Sequence, residues 1–285
     1  MLQLLIPLLL PILATATIQI DIQASDTYSD TRIQISGSSE SVVTEKDREL
    51  FKIRDWELKQ AAYMYSGGRP DDVYVKSPTP LEWGDLYSKL DWPEVTRTII
   101  PKYAKILDIN TNSVIVARKH FKNRSQWPSV YGGKLSQQAD MTVKNTWITG
   151  GSYNFGEQVS YSISIGSGSI GKSRSVYFSN WFGYGHETSS GISIGSDISV
   201  QPTLQPGQEV NVVLTATRGV VRVEVTYEAT LSGLVGVNYS GKYKGHHFWG
   251  YDVNGCLKAV GKPRKITFKE VIEIGFYFNE DVTSS

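Results

Sequence analysis

The second half of the chain alternates apolar and polar residues with the two-residue period of β-strands. The alternation is strict over 159–165, and positions 192–200 keep their isoleucine and valine residues at one parity. It is clearest over 221–231, where apolar residues or tyrosine take every odd position and charged residues or threonine every even one. A similar pattern over 210–216 leads into 217–220, which has the composition of a hairpin turn. We therefore predict that this half is β throughout.

Helix signals are confined to the first half. Thr44, with Asp47 three residues later, is typical of a helix N-cap, and the helical stretch is expected to end near Gly67. A second helix is predicted from Thr79 as cap, with Pro80 at its first position and Glu82 closing a capping box. It carries Leu81, Trp83, Leu86, Tyr87 and Leu90 and stops before Pro93. Shorter strand-like segments are 18–22, 31–35 and 113–116.

Charge density falls sharply along the chain. Between residues 145 and 217 the charged residues are few, namely Glu157, Lys172, Arg174, Glu187, Asp197 and Glu209. We place a domain boundary near residue 145, with an N-terminal mixed α/β head over 17–144 and a β domain over 145–285. The predicted fold class is mainly β, α+β overall, with an elongated sheet of long antiparallel strands.

Residues 1–16 have the pattern of a signal peptide. An uncharged apolar run of the length of a signal-peptide core is followed by Ala14-Thr15-Ala16, a small-x-small cleavage site. The run is shorter than the about 20 residues that a spanning helix needs. The protein is therefore expected to be secreted and extracellular. Its formal net charge of +1 gives no bulk indication of a nucleic-acid partner.

Secretion changes the meaning of three further residues. The single cysteine, Cys256, excludes an internal disulfide, which leaves a free thiol that is either buried or bridged to another molecule. Asn123 and Asn238 begin N-glycosylation sequons, so the protein is expected to be a glycoprotein. Asn238 lies in a strand-like run, which makes Asn123 the favoured glycosylation site.

Three motif matches suggest chemistry but lack the structural context it requires. Residues 166–173 fit a phosphate-binding loop, but alternating serine precedes them and β-like sequence follows, where a helix is needed. Ser193 lies in a G-x-S-x-G match without a helix signal behind it. His246 and His247 are adjacent, so on a strand they point to opposite faces. We therefore predict that the protein is not an enzyme and has no catalytic, cofactor or metal site. A hydrolase with Ser193 as its nucleophile is the last alternative.

Aromatic residues cluster in two places, and both clusters leave alternatives open. The stretch that contains Tyr177, Phe178 and Trp181 is either sheet core or a contact with a membrane interface. The tryptophans of the first half are either core or a sugar-binding surface, which would make the protein a lectin-like module; they are Trp56, Trp83, Trp92 and Trp127.

Several short segments resemble the spherulin-like branch of the aerolysin/epsilon-toxin superfamily. The segments in the second half are 205–210 (QPGQEV), 214–219 (LTATRG), 227–233 (YEATLSG), 238–239 (NY), 244–249 (KGHHFW) and 272–277 (IEIGFY). In the first half, 81–87 (LEWGDLY) is similar to the head region of insect follicular or yolk members that are secreted. The resemblance covers about residues 145–280 and carries no catalytic signature.

The resemblance implies a non-enzymatic β-protein that forms homo-oligomers and binds a membrane lipid or a glycan receptor. In toxin members, a hairpin leaves the sheet and several chains form a membrane barrel. The alternating segment 159–165, the turn 166–172 and the segment 173–182 match such a hairpin. Its candidate membrane-facing residues are Val159, Tyr161, Ile163, Ile165, Val176 and Phe178. The alternative role is a structural or storage protein of an egg, a cyst or an extracellular coat.

Overall fold

The computed structural model describes residues 17–80, 82, 84–148, 156–165, 174–195 and 199–285. The helices are α1 (Glu45–Leu50), α2 (Asp55–Ser66), α3 (Leu86–Leu90) and α4 (Val253–Ala259). The strands are β1 (Ile18–Ala24), β2 (Arg32–Ser36), β3 (Ser39–Val42), β4 (Asp72–Tyr74), β5 (Thr96–Lys122), β6 (Ser129–Val130), β7 (Gly133–Lys134), β8 (Gln137–Trp147), β9 (Gln158–Ile165), β10 (Arg174–Trp181), β11 (His186–Ile194), β12 (Ser199–Val200), β13 (Thr203–Leu204), β14 (Glu209–Ser232), β15 (Leu234–Tyr243), β16 (His246–Asp252) and β17 (Lys265–Ser284). Within these ranges, every helix is too short or too polar to cross a membrane.

The main sheet has six strands in the order β11-β8-β17-β14-β5-β3, all antiparallel. Three of its strands are very long, with 27 residues in β5, 24 in β14 and 20 in β17. The alternation predicted over 221–231 is confirmed at its odd positions, which are buried. The apolar face of these strands supplies much of the core.

The hairpin turn predicted at 217–220 is wrong, because β14 runs straight through it. Bulges opposite Leu214 to Thr217 shift the register with both neighbouring strands. In the same region the buried positions of β14 change from even numbers to odd numbers, which made one strand look like two. Gly219 lies inside the strand, paired with Phe276 of β17 and Thr111 of β5, and its missing side chain leaves space for the Phe276 ring.

We expect Gly219→Ala to lower the free energy of unfolding by about 1–3 kcal/mol, as overpacking does. A methyl group at this position would lie 2.6 Å from Cζ of the buried Phe276 ring. Gly241→Ala is the matched control, since Gly241 is an exposed strand glycine with nothing within 4 Å of an added Cβ. Urea unfolding of both variants is the measurement, and equal losses would contradict the packing argument.

The outward face of the main sheet carries cross-strand ion pairs. Glu224 of β14 lies 3.2 Å from both Lys105 of β5 and Lys269 of β17. Glu228, four residues further along β14, is paired in the same way with Lys102 and Lys265. Opposite charges that face each other across strands stabilise the register of the three long strands.

Two smaller sheets complete the architecture. One has the order β10-β9-β1-β2, in which β1 and β9 are parallel and the other pairs antiparallel. The other has the order β16-β15-β4 and is in contact with α2 and α4. Two-stranded pairs form between β7 and β12 and between β6 and β13. In each of the five sheets that the described residues form, strands from before and after residue 145 are paired, and the domain boundary placed there stays a prediction.

Capping residues mark where helices α1 and α2 begin or end. The predicted cap at Thr44 is confirmed: its hydroxyl accepts from the Asp47 amide, and Asp47 accepts from the Thr44 amide. The stretch to Gly67 is two helices rather than one. It breaks after Leu50, where Lys52 adopts a left-handed φ of 57°, and α2 begins at Asp55 and ends at the left-handed Gly67.

Two predictions about helices are wrong. The second helix begins at Leu86 rather than near Thr79, with Asp85 as its N-cap. The Thr79 hydroxyl instead accepts from the Leu86 amide, 2.9 Å away, and so supports the same helix start from a distance. The second half also contains helix α4, whose N-cap Asp252 accepts from the Gly255 amide at 2.6 Å.

Candidate functional site: the β9–β10 hairpin

Strands β9 and β10 form an antiparallel pair, as the sequence predicts for the two arms of a hairpin. Tyr161 is paired with Phe178, and Ile163 with Val176. The predicted turn, 166–172, and residue 173 lie outside the described residues. The role of the six candidate residues in a membrane stays a prediction, but the structure places them on one face. Val159, Tyr161, Ile163 and Ile165 are buried, while Val176 and Phe178 are half-buried.

The opposite face of the hairpin is polar. Ser160, Ser162 and Ser164 are half-buried, and Ser175 and Ser179 are exposed. Tyr177 points outward, with 73% of its surface exposed. The hairpin therefore has an apolar face and a hydroxyl-rich face. Each arm has 8 residues, slightly fewer than the about 9–11 of a membrane-spanning β-strand.

The hairpin is held in its sheet by strand β1. β9 pairs with β1 in parallel from Ile18 opposite Val159 to Ala24 opposite Ile165. The other arm, β10, pairs with β9 and is the edge of this sheet. Separation of β9 from β1 would therefore free both arms together.

A buried hydrogen-bond cluster joins the hairpin to the main sheet. The carboxylate of Glu270, on β17, is fully buried. It accepts hydrogen bonds from the hydroxyl of Tyr161 at 2.6 Å, the hydroxyl of Tyr227 at 2.7 Å and the amide of Asn145 at 2.7 Å. Within the described ranges, Glu270 forms no ion pair. Tyr161 is the member of the cluster that lies on the hairpin. Release of the hairpin from its sheet would therefore break the hydrogen bond between Tyr161 and Glu270.

Burial and hydrogen bonding act in opposite directions on Glu270. Burial raises its pKa, and the hydrogen bonds from Tyr161, Tyr227 and Asn145 offset only part of the increase. The pKa values of Tyr161 and Tyr227 are also raised, by burial first and then by the nearby Glu270 charge. The two hydroxyls therefore stay protonated and remain donors.

A second buried cluster fixes the base of the hairpin. Arg97 of β5 is fully buried, and its guanidinium reaches Asp47 of α1 at 2.8 Å and Glu157 at 2.6 Å. Glu157 directly precedes β9 and also accepts from the hydroxyl of Ser39. One cation thus connects the head helix, the main sheet and the start of the hairpin.

Relatives of the chain are found by sequence, although no family model matches it. U-megalopygitoxin(8)-Mo12 of Megalopyge opercularis is 34% identical over 258 residues, which are 90% of this chain and 88% of the relative. U-megalopygitoxin(8)-Mc8 of Megalopyge crispata is 35% identical with the same coverage. The chain belongs to the U-megalopygitoxin(8) family.

The fold of this U-megalopygitoxin(8) family member has a counterpart among solved structures. Parasporin-2, a Bacillus thuringiensis toxin that recognizes cancer cells, superposes with a TM-score of 0.65. The match covers 87% of this chain and 98% of parasporin-2 at 16% sequence identity, so it shows a common fold. The predicted fold class, a mainly β aerolysin-type fold with long antiparallel strands, is confirmed.

The structure gives the U-megalopygitoxin(8) chain no exposed sequon asparagine. Asn123 is fully buried, and its amide nitrogen donates to the carbonyls of Trp127 and Leu204, each at 2.8 Å. Both amide hydrogens are thereby used, which argues against a glycan on the folded chain. Asn238 lies in β15 and is 9% exposed, so the same objection applies. Glycosylation at either site would have to precede folding.

Cys256, Ser193 and the pair His246–His247 lie on different elements, and the match to a phosphate-binding loop, 166–173, lies outside the described residues. Cys256 is buried in α4, and burial raises the pKa of its thiol to about 12, which argues against a bridge to another molecule. Ser193 lies on β11. Among the described residues the next element is the strand β12, rather than the helix that a nucleophile elbow needs. His247 contacts the Tyr239 carbonyl and His246 the ring of Trp249, so the pair does not converge.

We expect Glu270→Gln to change the pH dependence of stability of this family member. Because the folded pKa of Glu270 is above its unfolded value, its contribution to stability is present below the unfolded pKa and is lost as the pH rises through the folded pKa. The free energy of unfolding of the variant relative to the native chain should therefore increase from about pH 4 to about pH 8. Urea unfolding across this range is the measurement.

Glu224→Gln serves as the control of opposite sign. Partial burial opposes ionisation of Glu224, but hydrogen bonds from Lys105 and Lys269 outweigh it and lower the pKa. Its contribution is present above the unfolded pKa and is lost as the pH falls through the folded pKa. The Glu224→Gln variant should thus lose stability relative to the native chain as the pH rises. Parallel slopes for the two variants would contradict this account of Glu270.

Proposed function

We propose that this protein is a secreted toxin that oligomerises on a membrane and inserts its β9–β10 hairpin into a shared β-barrel. The observation that carries the proposal is the two-faced character of the hairpin. In a barrel, the apolar face with Ile163 and Val176 would contact lipid, and the serine face would line the lumen. Closure of the barrel would satisfy the backbone groups of every arm.

Three further observations support the proposal. The family relatives carry the name of toxins, and the fold is shared with the toxin parasporin-2. The hairpin lies at the edge of its sheet and is held by one neighbouring strand, so it can leave while the long strands of the main sheet stay paired. Secretion rests on the predicted leader, 1–16, which lies outside the described residues.

The test is dye release from liposomes by the protein expressed from residue 17, the start left by the predicted cleavage. Oligomers that resist SDS should appear in the same samples. We expect release to accompany ring-sized oligomers in at least one of a series of anionic, neutral and sterol-containing vesicles. If the protein stays a soluble monomer or dimer and releases no dye from vesicles of any composition, the proposal is wrong. This result would favour the alternative of a storage or coat protein of the spherulin-like type.

A further inference from the structure

Helix α2 buries one face and exposes a face rich in aromatic and polar side chains. Leu58, Ala61 and Ala62 are buried. On the exposed side, Trp56 has 63% and Tyr63 47% of its surface exposed. These two residues are seven positions apart, so they lie on one face at about 10 Å along the helix axis. Neither ring belongs to the buried hydrophobic core of the described residues.

The same side chains line an open pocket with a volume of 580 Å³. Trp56 and Tyr63 lie in it with Lys59 and Gln60, which occupy the helical positions between them, and with Arg69 from the chain after α2. The left-handed Gly67 ends the helix and turns the chain so that Arg69 returns to the pocket. The pocket thus combines two exposed rings with three side chains that donate hydrogen bonds.

The charge of the pocket is positive. Among the described residues, its lining includes Lys59 and Arg69 and no carboxylate. Lys59 is 3.5 Å from Asp72, whereas Arg69 has no hydrogen bond or ion pair with any described residue. Lys262, which is paired with Glu57 at 3.0 Å, adds a third cationic group 6.0 Å from the centre of the Trp56 ring. An anionic group bound here would meet Arg69, whose guanidinium can hold a carboxylate or sulfate with two hydrogen bonds.

We propose that this pocket binds an anionic oligosaccharide, with sugar rings stacked on Trp56 and Tyr63 and an acidic group on Arg69. The faces of aromatic rings are negative and attract the C–H groups on the flat side of a pyranose. The separation of the two rings along α2 suits two sugar units of an extended chain. A ligand with only an apolar tail would make no use of Gln60 and Arg69. The proposal extends the proposed function by naming a class of receptor, and it can be tested without a membrane.

The experiment is titration of the full protein with a chondroitin sulfate tetrasaccharide, and with neutral chitotetraose as a comparison, by isothermal calorimetry. We expect the anionic tetrasaccharide to bind and the neutral one to bind at least tenfold more weakly. Trp56→Ala and Arg69→Gln should each weaken binding of the anionic tetrasaccharide at least tenfold. Both changes lie on the surface, and circular dichroism checks that both variants fold.

Trp127→Ala is the matched control, since Trp127 is a tryptophan with 75% of its surface exposed that lies outside this pocket. Its binding should equal that of the native chain. The proposal is overturned by equal losses in Trp127→Ala and Trp56→Ala, by equal affinity for the two tetrasaccharides, or by no binding of either. Binding to phosphatidylserine vesicles that depends on Trp56, without binding of the tetrasaccharide, would also overturn it and would assign the pocket to lipid. Tetrasaccharide binding without dye release would leave this site in place and remove only the pore-forming function.

Discussion

The double substitution Gln23→Cys and Ser164→Cys, once oxidised, is expected to reduce dye release from liposomes at least about tenfold, because a strand that stays paired in the soluble sheet cannot close a barrel. Gln23 and Ser164 are direct partners in the parallel pair of β1 and β9, and both lie on the polar face. Neighbouring strands are about 4.8 Å apart, within the range of Cα separations that a disulfide bridges. The native Cys256 is kept in this variant, because it is buried.

The control is a disulfide between Ser164→Cys and Ser175→Cys. These residues face each other within the hairpin, so the bond joins its two arms to each other and not to β1. The hairpin can then still leave the sheet as a unit, and dye release should match that of the native chain. A reducing agent should restore release by the Gln23–Ser164 variant. If this variant leaks equally when oxidised and reduced, the hairpin does not insert.

Replacement of Arg97 by methionine is expected to lower the free energy of unfolding by about 3–5 kcal/mol, the cost of removing one partner from a buried ion pair. Asp47 is fully buried and Glu157 largely so, and both would lose the guanidinium with which they are paired. Methionine replaces the aliphatic stem, so the loss would come mainly from the charge. Urea unfolding measures it.

Arg222→Met tests whether this loss depends on burial. Arg222 is 3.8 Å from Asp108 and 3.6 Å from Glu273, but all three side chains are substantially exposed. Exposed pairs contribute about 0–1 kcal/mol, because water screens them. Comparable losses in Arg97→Met and Arg222→Met would show that the Arg97 cluster is not a buried anchor.

The sequence predicts the strands of this fold better than it predicts where they join. The alternation over 159–165 and 221–231 locates β9 and the core of β14, because burial of one face requires a period of two. The continuity of β14 was missed, since its buried positions change from even to odd numbers within the strand and this change imitates a turn. Helix α4 was missed because it has only 7 residues and contains Gly255, a poor helix former.

The polar residues that hold the hairpin were also missed, although the sequence contains a signal for two of them. Glu270 has the same parity as the buried Phe268 and Ile272, and Arg97 the same parity as Val95 and Ile99. A charged residue in an apolar register predicts a buried polar cluster. Its partners cannot be read in the same way, because Tyr161 is more than 100 positions from Glu270 in the sequence. Only the tertiary fold brings them together.

The parallel pairing of β1 with β9 also dictates an order of events during synthesis. Its first pair joins Ile18 to Val159, and its last joins Ala24 to Ile165. The partner of β1 therefore does not exist until more than half of the chain has left the ribosome. Until then Ile18, Ile20 and Ile22 have at best the short β2 hairpin as cover, which is marginal by itself. Contacts between such distant segments are slow to form, so the nascent chain is expected to need protection by chaperones at its amino-terminal strand.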